Sequence, residues 1–354
     1  MHCSDYGRMR LSTKLLLTIC VPPALIWLVG MYVVKISQDQ IEESVRTSAR
    51  AEVVSAQEEI DRILKARTET WAEFVVSERV INAVERSNRM LREKGVSFDE
   101  IGEVWKQEEQ RRLLPAGIVD EDLMTELRTI VTKVSDFSGG LRIFREVMVT
   151  NARGGIVAES GRTGEYAHGA SFWWTQARDK GRSLGGVRVE RDRSGKEDVI
   201  IDFCLRIEDS MGRFLGVLRV DIDLGEVVEI VDSYGRRGGR DRGMVLLNRD
   251  AKLIRIGGRG ETRILSDGKR YLPVRLGGTA KENQFAEGEL SDGEQVFTYA
   301  EPREDGLVGL LGWKAVHTAE ADALLAPVKQ LRNSVLLAAA VATFLGGAIM
   351  LWVV

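Results

Sequence analysis

Hydrophobic and polar positions are unevenly distributed along this chain of 354 residues. Leu15 to Val34 and Val335 to Val354 are uncharged runs of 20 residues each. Lys14 and Lys35 bound the first; Lys329 and Arg332 precede the second. At about 1.5 Å per residue each run covers roughly 30 Å of hydrocarbon, and neither shows the polar stripe of a soluble helix. The pattern predicts two transmembrane helices, 15–34 and 335–354. Pro22-Pro23 would kink the first, which a membrane helix tolerates better than a soluble one. A cleaved signal peptide is the rival reading of that run. The run lacks a small-x-small cleavage site and exceeds the usual apolar core of about 7–15 residues, so an uncleaved anchor is preferred.

The region between the runs is polar and periodic. Ile41, Val45, Ala49, Val53, Ala56, Ile60 and Ile63 recur at spacings of three and four, predicting an amphipathic helix over 36–70. The same spacing approximates a heptad seam, which suits a parallel homodimer; packing on its own domain fits equally. Helices are predicted at Trp71–Leu91, Ser97–Arg112 and Asp120–Phe137, with Ser97 and Glu100 at capping-box spacing. Strands follow at Phe144–Val149, Gly155–Glu159, Val199–Ile207 and Phe214–Ile222, with a short helix at Ser171–Lys180 and hairpin turns at Arg153-Gly154-Gly155 and Arg193-Ser194-Gly195. A Gly/Arg-rich stretch, 234–243, reads as a solvated linker in preference to a nucleic-acid-binding tract. Strand texture resumes at Gly243–Asn248, Lys252–Ile256, Gln284–Leu290, Glu294–Ala300 and Trp313–His317. A helix over Glu320–Leu331 leads to the second run. The fold class is α+β: two mixed or antiparallel sheet lobes, 71–233 and 244–319, on a long N-terminal helix, with an exit helix at 320–334.

Arg8, Arg10 and Lys14 precede the first run, whereas Asp39, Glu42 and Glu43 follow Lys35. The positive-inside rule therefore places residues 1–14 in the cytoplasm, and two spans put 36–334 outside an inner or plasma membrane. The 50 Lys+Arg and 53 Asp+Glu give a net charge of −3, which excludes a globally basic nucleic-acid-binding surface. A mean hydropathy of −0.13 resembles a soluble protein only because the polar middle dilutes the ends. Of three cysteines only Cys204 lies in the large region, so no internal disulfide staples it. An intermolecular bridge, or a small buried apolar residue, are its two readings.

The chemistry-bearing residues point to binding. Tyr166, Trp173 and Trp174 form a candidate aromatic box with Asp221 as its anionic end, since aromatic faces attract organic cations and a carboxylate adds charge-assisted bonds. The competing reading puts both tryptophans in the core, adjacent helix positions facing different ways. Asp221 and Asp223 alternate with Val220, Ile222 and Leu224, so both carboxylates share one strand face, as ligand contacts or as solvated groups. Arg188 and Asp192 are further candidates. His168 reads as a surface loop residue. No histidine or cysteine pair has metal-ligand spacing, no phosphate-binding loop ends in Lys-Ser/Thr, and no nucleophile elbow occurs, so neither enzyme nor cofactor is expected.

In four segments the sequence resembles the double Cache sensor domains of bacterial transmembrane receptors. Val147 to Ala158 resembles the first hairpin of that family, and Tyr166 with Trp173-Trp174 its ligand loop. Gly212 to Leu224, GRFLGVLRVDIDL, resembles the strand that closes the distal lobe, and Gly312-Trp313 through Pro327-Val328 the last strand and exit helix of the proximal lobe. The resemblance covers about residues 36–334. It implies two PAS-like lobes, a small molecule bound in the distal one and a signal passed to the second span. The amino-acid-binding branch carries an arginine two residues before the tryptophan; here Ser171 stands there, and a hydroxyl cannot clamp a carboxylate bidentately. The Asp for the ligand amine corresponds to Asp221, so the resemblance implies an amine or an uncharged ligand. The sequence ends at Val354, which leaves a cytoplasmic output module (kinase, cyclase, phosphatase or chemoreceptor) to a continuation or to a partner. The alternative function is a membrane-held assembly protein whose lobes bind protein partners.

Overall fold

A computed structural model describes residues 11–95, 97–107, 111, 114–138, 141–161, 163–191, 197–237, 242–257, 263–272, 285–290 and 293–353. The chain divides into two compact units. The larger comprises Val53–Leu272 with Tyr299–Val316; the smaller comprises Met1–Glu52, Pro273–Thr298 and His317–Val354. The fold is α+β, with antiparallel sheets behind a helical N-terminal part.

In the larger unit, helix α1 (Leu11–Val75) buries Val53, Ala56, Ile60, Leu64, Trp71 and Val75, one face at spacings of three, four and seven. It stops at Val75, where a continuous helix over Trp71–Leu91 was expected. Ser77 takes an extended conformation and its hydroxyl accepts the Val80 N–H at 3.4 Å, so the chain restarts as α2 (Glu78–Lys94). Ser97 caps α3 (Phe98–Lys106) through the Asp99 N–H, and α3 ends six residues short of the expected Arg112. Asp120 caps α4 (Glu121–Phe137), its Oδ1 accepting the Leu123 N–H at 2.9 Å.

Six strands follow: β1 (Phe144–Asn151), β2 (Ile156–Glu159), β3 (Arg182–Leu184), β4 (Arg188–Arg191), β5 (Glu197–Glu208) and β6 (Phe214–Asp223), with α5 (Phe172–Lys180) between β2 and β3. Their order is β2-β1-β6-β5-β3, with β4 also paired to β5. Strands β3 and β4 escape sequence reading because they are short and only partly buried, whereas four-residue β2 is wholly buried and apolar enough to show. The β1–β2 turn is as expected: Gly154 has a φ of 84°, and the Asn151 side chain accepts the Arg153 and Gly155 N–H groups at 3.0 Å each. The other expected turn, 193–195, lies outside the described residues. Residues paired across β1, β6 and β5 share a face. Val147, Val149, Leu218, Val220, Ile222, Ile201 and Phe203 join the helices in one buried cluster.

Helix α6 (Gly225–Arg237) takes in the first residues of the Gly/Arg stretch that read as a linker. Val227, Ile230, Val231 and Tyr234 are buried at helical spacing, and that stripe outweighs the local glycine and arginine content. Arg255 of β8 (Leu253–Gly257) grips Asp232 of α6 through two bonds of 2.7 Å, and β8 pairs with β7 (Arg242–Leu247). In α7 (Leu307–Leu311) the Val308 N–H donates to Asp61 at 3.1 Å.

The smaller unit contains the first part of α1, the hairpin β9 (Phe285–Leu290)–β10 (Gly293–Tyr299), most of β11 (Lys314–Glu320), and α8 (Ala321–Val353). His317 Nε2 lies 3.5 Å from Glu52, and Gly30 lets α1 approach Val335 of α8 where a Cβ would collide. Helix α1 is continuous through Pro22-Pro23. The expected spans are not found as such: among the described residues no helix is long and apolar enough to cross a membrane. The side chains of 15–20, 22–24 and 26 in the first run, and of 346, 347 and 349–354 in the second, lie outside the described residues.

Candidate functional site

The sheet face turned away from the main core carries a set of charges beside a small apolar cluster of Trp174, Ala177, Cys204 and Val217. Strand β6 turns Arg219 and Asp221 to it while Leu218, Val220 and Ile222 enter the core. Asp221 pairs across with Asp202 of β5 and with Glu146 of β1, and Arg219 with Cys204 and Met148. Direct cross-strand neighbours sit about 4.5–5.5 Å apart, so these side chains interact by construction.

Asp221 is only 3% exposed. The Arg219 guanidinium donates to its two oxygens at 3.0 and 3.2 Å, and Arg188 reaches Oδ2 at 2.5 Å. Arg188 also lies 2.9 Å from Asp202 and 3.3 Å from Glu190. Arg145 extends the network to Glu190 at 2.8 Å and Asp198 at 2.5 Å, and Arg142 lies 3.8 Å from Asp198. Burial pushes the Asp221 carboxyl above the usual range, against the pull of Arg219 and Arg188. Glu146 differs: it makes no ion pair or hydrogen bond among the described residues. Burial, then the nearby carboxylates Asp221 and Glu159, raise its carboxyl to about 7.

Helix α5 lies on this face and splits the two tryptophans. Trp173 is half-buried, with Arg219 5.1 Å from its ring centre and the His168 ring at 5.6 Å. Trp174 is core: its Nε1–H donates to Thr150 at 2.9 Å, and it packs with Ala177, Cys204 and Val217. Ser171 occupies the cap position of α5 without a side-chain capping bond; its N–H donates to the His168 carbonyl. Tyr166 is 2% exposed among the rings of Phe98 and Trp105, at 5.4 and 5.6 Å, and burial raises its phenol. His168, read as a surface residue, is 8% exposed; burial and Arg219 lower its pKa, which favours the neutral ring. Asp223 turns to Gly225, accepting its N–H at 2.7 Å where α6 begins. Asp192 lies outside the described residues. Cys204 is fully buried with its thiol pushed well up by burial, which suits a small core residue and not an intermolecular bridge.

Of the sequence candidates, Trp173, Arg188 and Asp221 come together. Tyr166 and Trp174 belong to packing clusters on either side, so the single aromatic box is replaced by one ring beside an ion network. Arg219, Asp202 and Glu146 were missed. The signal was available, since Arg219 shares the parity of Asp221 and Asp223, and Glu146 and Asp202 break apolar strands at the same alternation. No group of His, Cys, Asp and Glu among the described residues is arranged to hold a metal ion.

The sequence matches no protein-family model and no curated protein. Solved structures do match. The ligand-binding domain of the Campylobacter jejuni chemoreceptor Tlp3 in complex with L-valine is similar at a TM-score of 0.50 and 12% identity, over 82% of this chain and 98% of that one. The sensory domain of the same chemoreceptor also gives 0.50 and 12%, over 82% and 99%. The ligand-binding domain of the Pseudomonas fluorescens chemoreceptor CtaA with L-isoleucine gives 0.45 and 11%, over 82% and 98%. At these identities the likeness is one of fold: the chain has the architecture of a ligand-binding sensor domain of chemoreceptor type, in keeping with the double Cache resemblance of its sequence.

Proposed function

We propose that this protein is a membrane-anchored extracytoplasmic sensor that binds a small molecule on the polar face of β1, β6 and β5, beneath Trp173. The observation that carries the reading is the network of half-buried Arg188, Arg219 and Asp202 around buried Asp221, on a sheet face that packing alone would fill with hydrocarbon. Domains of this fold bind ligands such as L-valine in Tlp3. Here Asp221 is already neutralised by two arginines, so a ligand must exchange with that network or use a neighbouring group. Anchoring is supported by the uncharged runs and by apolar side chains standing exposed on α1 and α8, among them Trp27, Leu28, Tyr32, Phe344 and Leu345. Residues 36–334 then lie outside the cytoplasm, and α8 links the sensor to an output module. A ligand shifts such a device only by binding its two states with different affinity. The α1 periodicity supports a homodimer.

The test is a thermal-shift screen of the full chain with amines, amino acids, organic acids and purines, because a ligand specific for the native state must raise the midpoint. A hit abolished by Trp173→Ala or Asp221→Ala supports the site; a hit that both variants retain refutes it. The assembly-protein reading draws on single exposed residues such as Phe137 and Phe172, at 91% and 78%, and a screen without a hit would favour it.

A further inference from the structure

The charges of the polar face do not balance. Four arginines, Arg142, Arg145, Arg188 and Arg219, are paired with four carboxylates, Asp198, Glu190, Asp202 and Asp221. Glu146 is a fifth carboxylate with no cation of its own among the described residues. It sits in register with Asp221, so it belongs to the same face. The backbone at Gly161 runs so close to it that a Cβ there would lie 2.5 Å from Glu146 Oε1. His168 supplies no compensating charge, since burial and Arg219 favour its neutral form.

We propose that Glu146 is the ligand-reading carboxylate of this site and pairs with an ammonium group of the ligand. This rests on the sensor reading above and names its substrate class: organic amines. Asp221, the residue that the sequence resemblance assigns to the amine, is held by Arg219 and Arg188 and acts as part of the frame. A half-buried carboxylate without a partner carries a desolvation cost, and an incoming ammonium offsets that cost while leaving the four-to-four network intact. The Arg188 Nε–H is a buried donor without a hydrogen-bond partner among the described residues, so an anionic ligand has a donor to reach, but it would add negative charge to a face that already holds Glu146 without a cation. The groups facing Glu146 are Asp221 and Arg219 from β6, Glu159 from β2 with its partner Arg111, and Glu190 from β4 with its partner Arg145, and the carboxylates dominate its surroundings as a negative surplus. That surplus, together with burial, raises its carboxyl to about 7, so the ammonium competes with a proton.

The experiment uses the purified full chain with ethylamine, ethanolamine and putrescine as cationic probes. Propionate and propanol are the anionic and neutral counterparts, and affinity is read from midpoint shifts at pH 6 and pH 8. Alkylamines stay protonated at both pH values, whereas a carboxyl near 7 changes its ionised fraction about tenfold between them. The expected result is amine binding about tenfold tighter at pH 8, abolished in Glu146→Gln, with no propionate or propanol response. Glu146→Gln keeps a midpoint at least equal to the parent's at pH 8, which shows that it folds. Amine binding retained in Glu146→Gln, or no amine binding, overturns the proposal. If propionate or propanol then binds and Trp173→Ala abolishes it, the sensor site survives without the amine assignment. If every response survives Trp173→Ala, the site itself is wrong.

Discussion

The frame role of Arg219 makes the sharpest stability prediction. Replacing Arg219 with Met removes a guanidinium whose side chain is 14% exposed from a carboxylate whose side chain is 5% exposed. Removing one partner of a buried pair generally costs about 3–5 kcal/mol, because the other charge stays buried without compensation. Here Arg188 remains 2.5 Å from Asp221 and 2.9 Å from Asp202, which brings the expected loss to about 2–3 kcal/mol. At about 2–4 °C per kcal/mol for a unit of this size, the midpoint falls by roughly 4–12 °C. The assay is urea unfolding of the full chain as a double-mutant cycle with Asp221→Leu. Single losses of that size and a coupling of about 2 kcal/mol are expected, because the double variant removes both charges. A single loss below about 0.5 kcal/mol, or strictly additive losses, would show that Asp221 does not depend on Arg219 and that the pairing described here is wrong.

Glu146 has a folded-state pKa near 7 against an ordinary 4.5, so its contribution is complete below about pH 4.5 and is lost as pH rises through 7. Glu146→Gln should therefore be more stable than the parent at pH 8, by up to about 3 kcal/mol, and should flatten the stability profile between pH 5 and 8; an unchanged slope in pH-dependent denaturation counts against the assignment. Trp174→Phe deletes the bond to Thr150 while keeping most of the ring's packing, and should cost about 1–2 kcal/mol by chemical denaturation. Gly154→Ala meets both a φ of 84° and the Gly169 backbone, so it should cost more than about 1 kcal/mol; a neutral result would mean that the β1–β2 turn is not as described.

How much was legible in advance depended on length and parity. Long elements declared themselves: β5, β6 and α4 have enough residues for a period to emerge, and their expected bounds fall within a few residues of those observed, while α1 joins the expected 15–34 and 36–70 elements in one helix. The break at Ser77 did not, because apolar spacing continues across it and only the capping conformation shows that the helix restarts. The linker reading of 234–243 failed at its start because composition was weighed above the stripe from Val227 to Tyr234. At the site, searching for aromatic residues and single acids found Trp173 and Asp221 but passed over Arg219, which stands two residues before Asp221 on the same face. Pairing of opposite charges across neighbouring strands is a long-range fact. Asp202, Arg188 and Asp221 are separated in sequence and meet only through the β5–β6 and β4–β5 registers.

That network argues for function on energetic grounds. Replacing a buried set of ion pairs with well-packed apolar residues of similar volume is often neutral or stabilising by about 1–4 kcal/mol. The opposite face of the same strands shows that this sequence can supply such packing, with Val147, Val149, Leu218 and Val220 fully buried. The charged face holds its own apolar cluster at Trp174, Ala177, Cys204 and Val217, so the four arginines and five carboxylates beside it are not what packing alone would select. The paired charges fix the position of one another's side chains in low dielectric, which is what the proposed ligand site would require of its frame. Among the described residues Glu146 is the member whose charge the frame leaves open. Neutralising the frame through Arg188→Met with Asp202→Asn should therefore loosen the site and weaken every ligand class together, whereas Glu146→Gln should discriminate among classes. Parallel affinity loss for all probes in both variants would reduce Glu146 to another member of the frame.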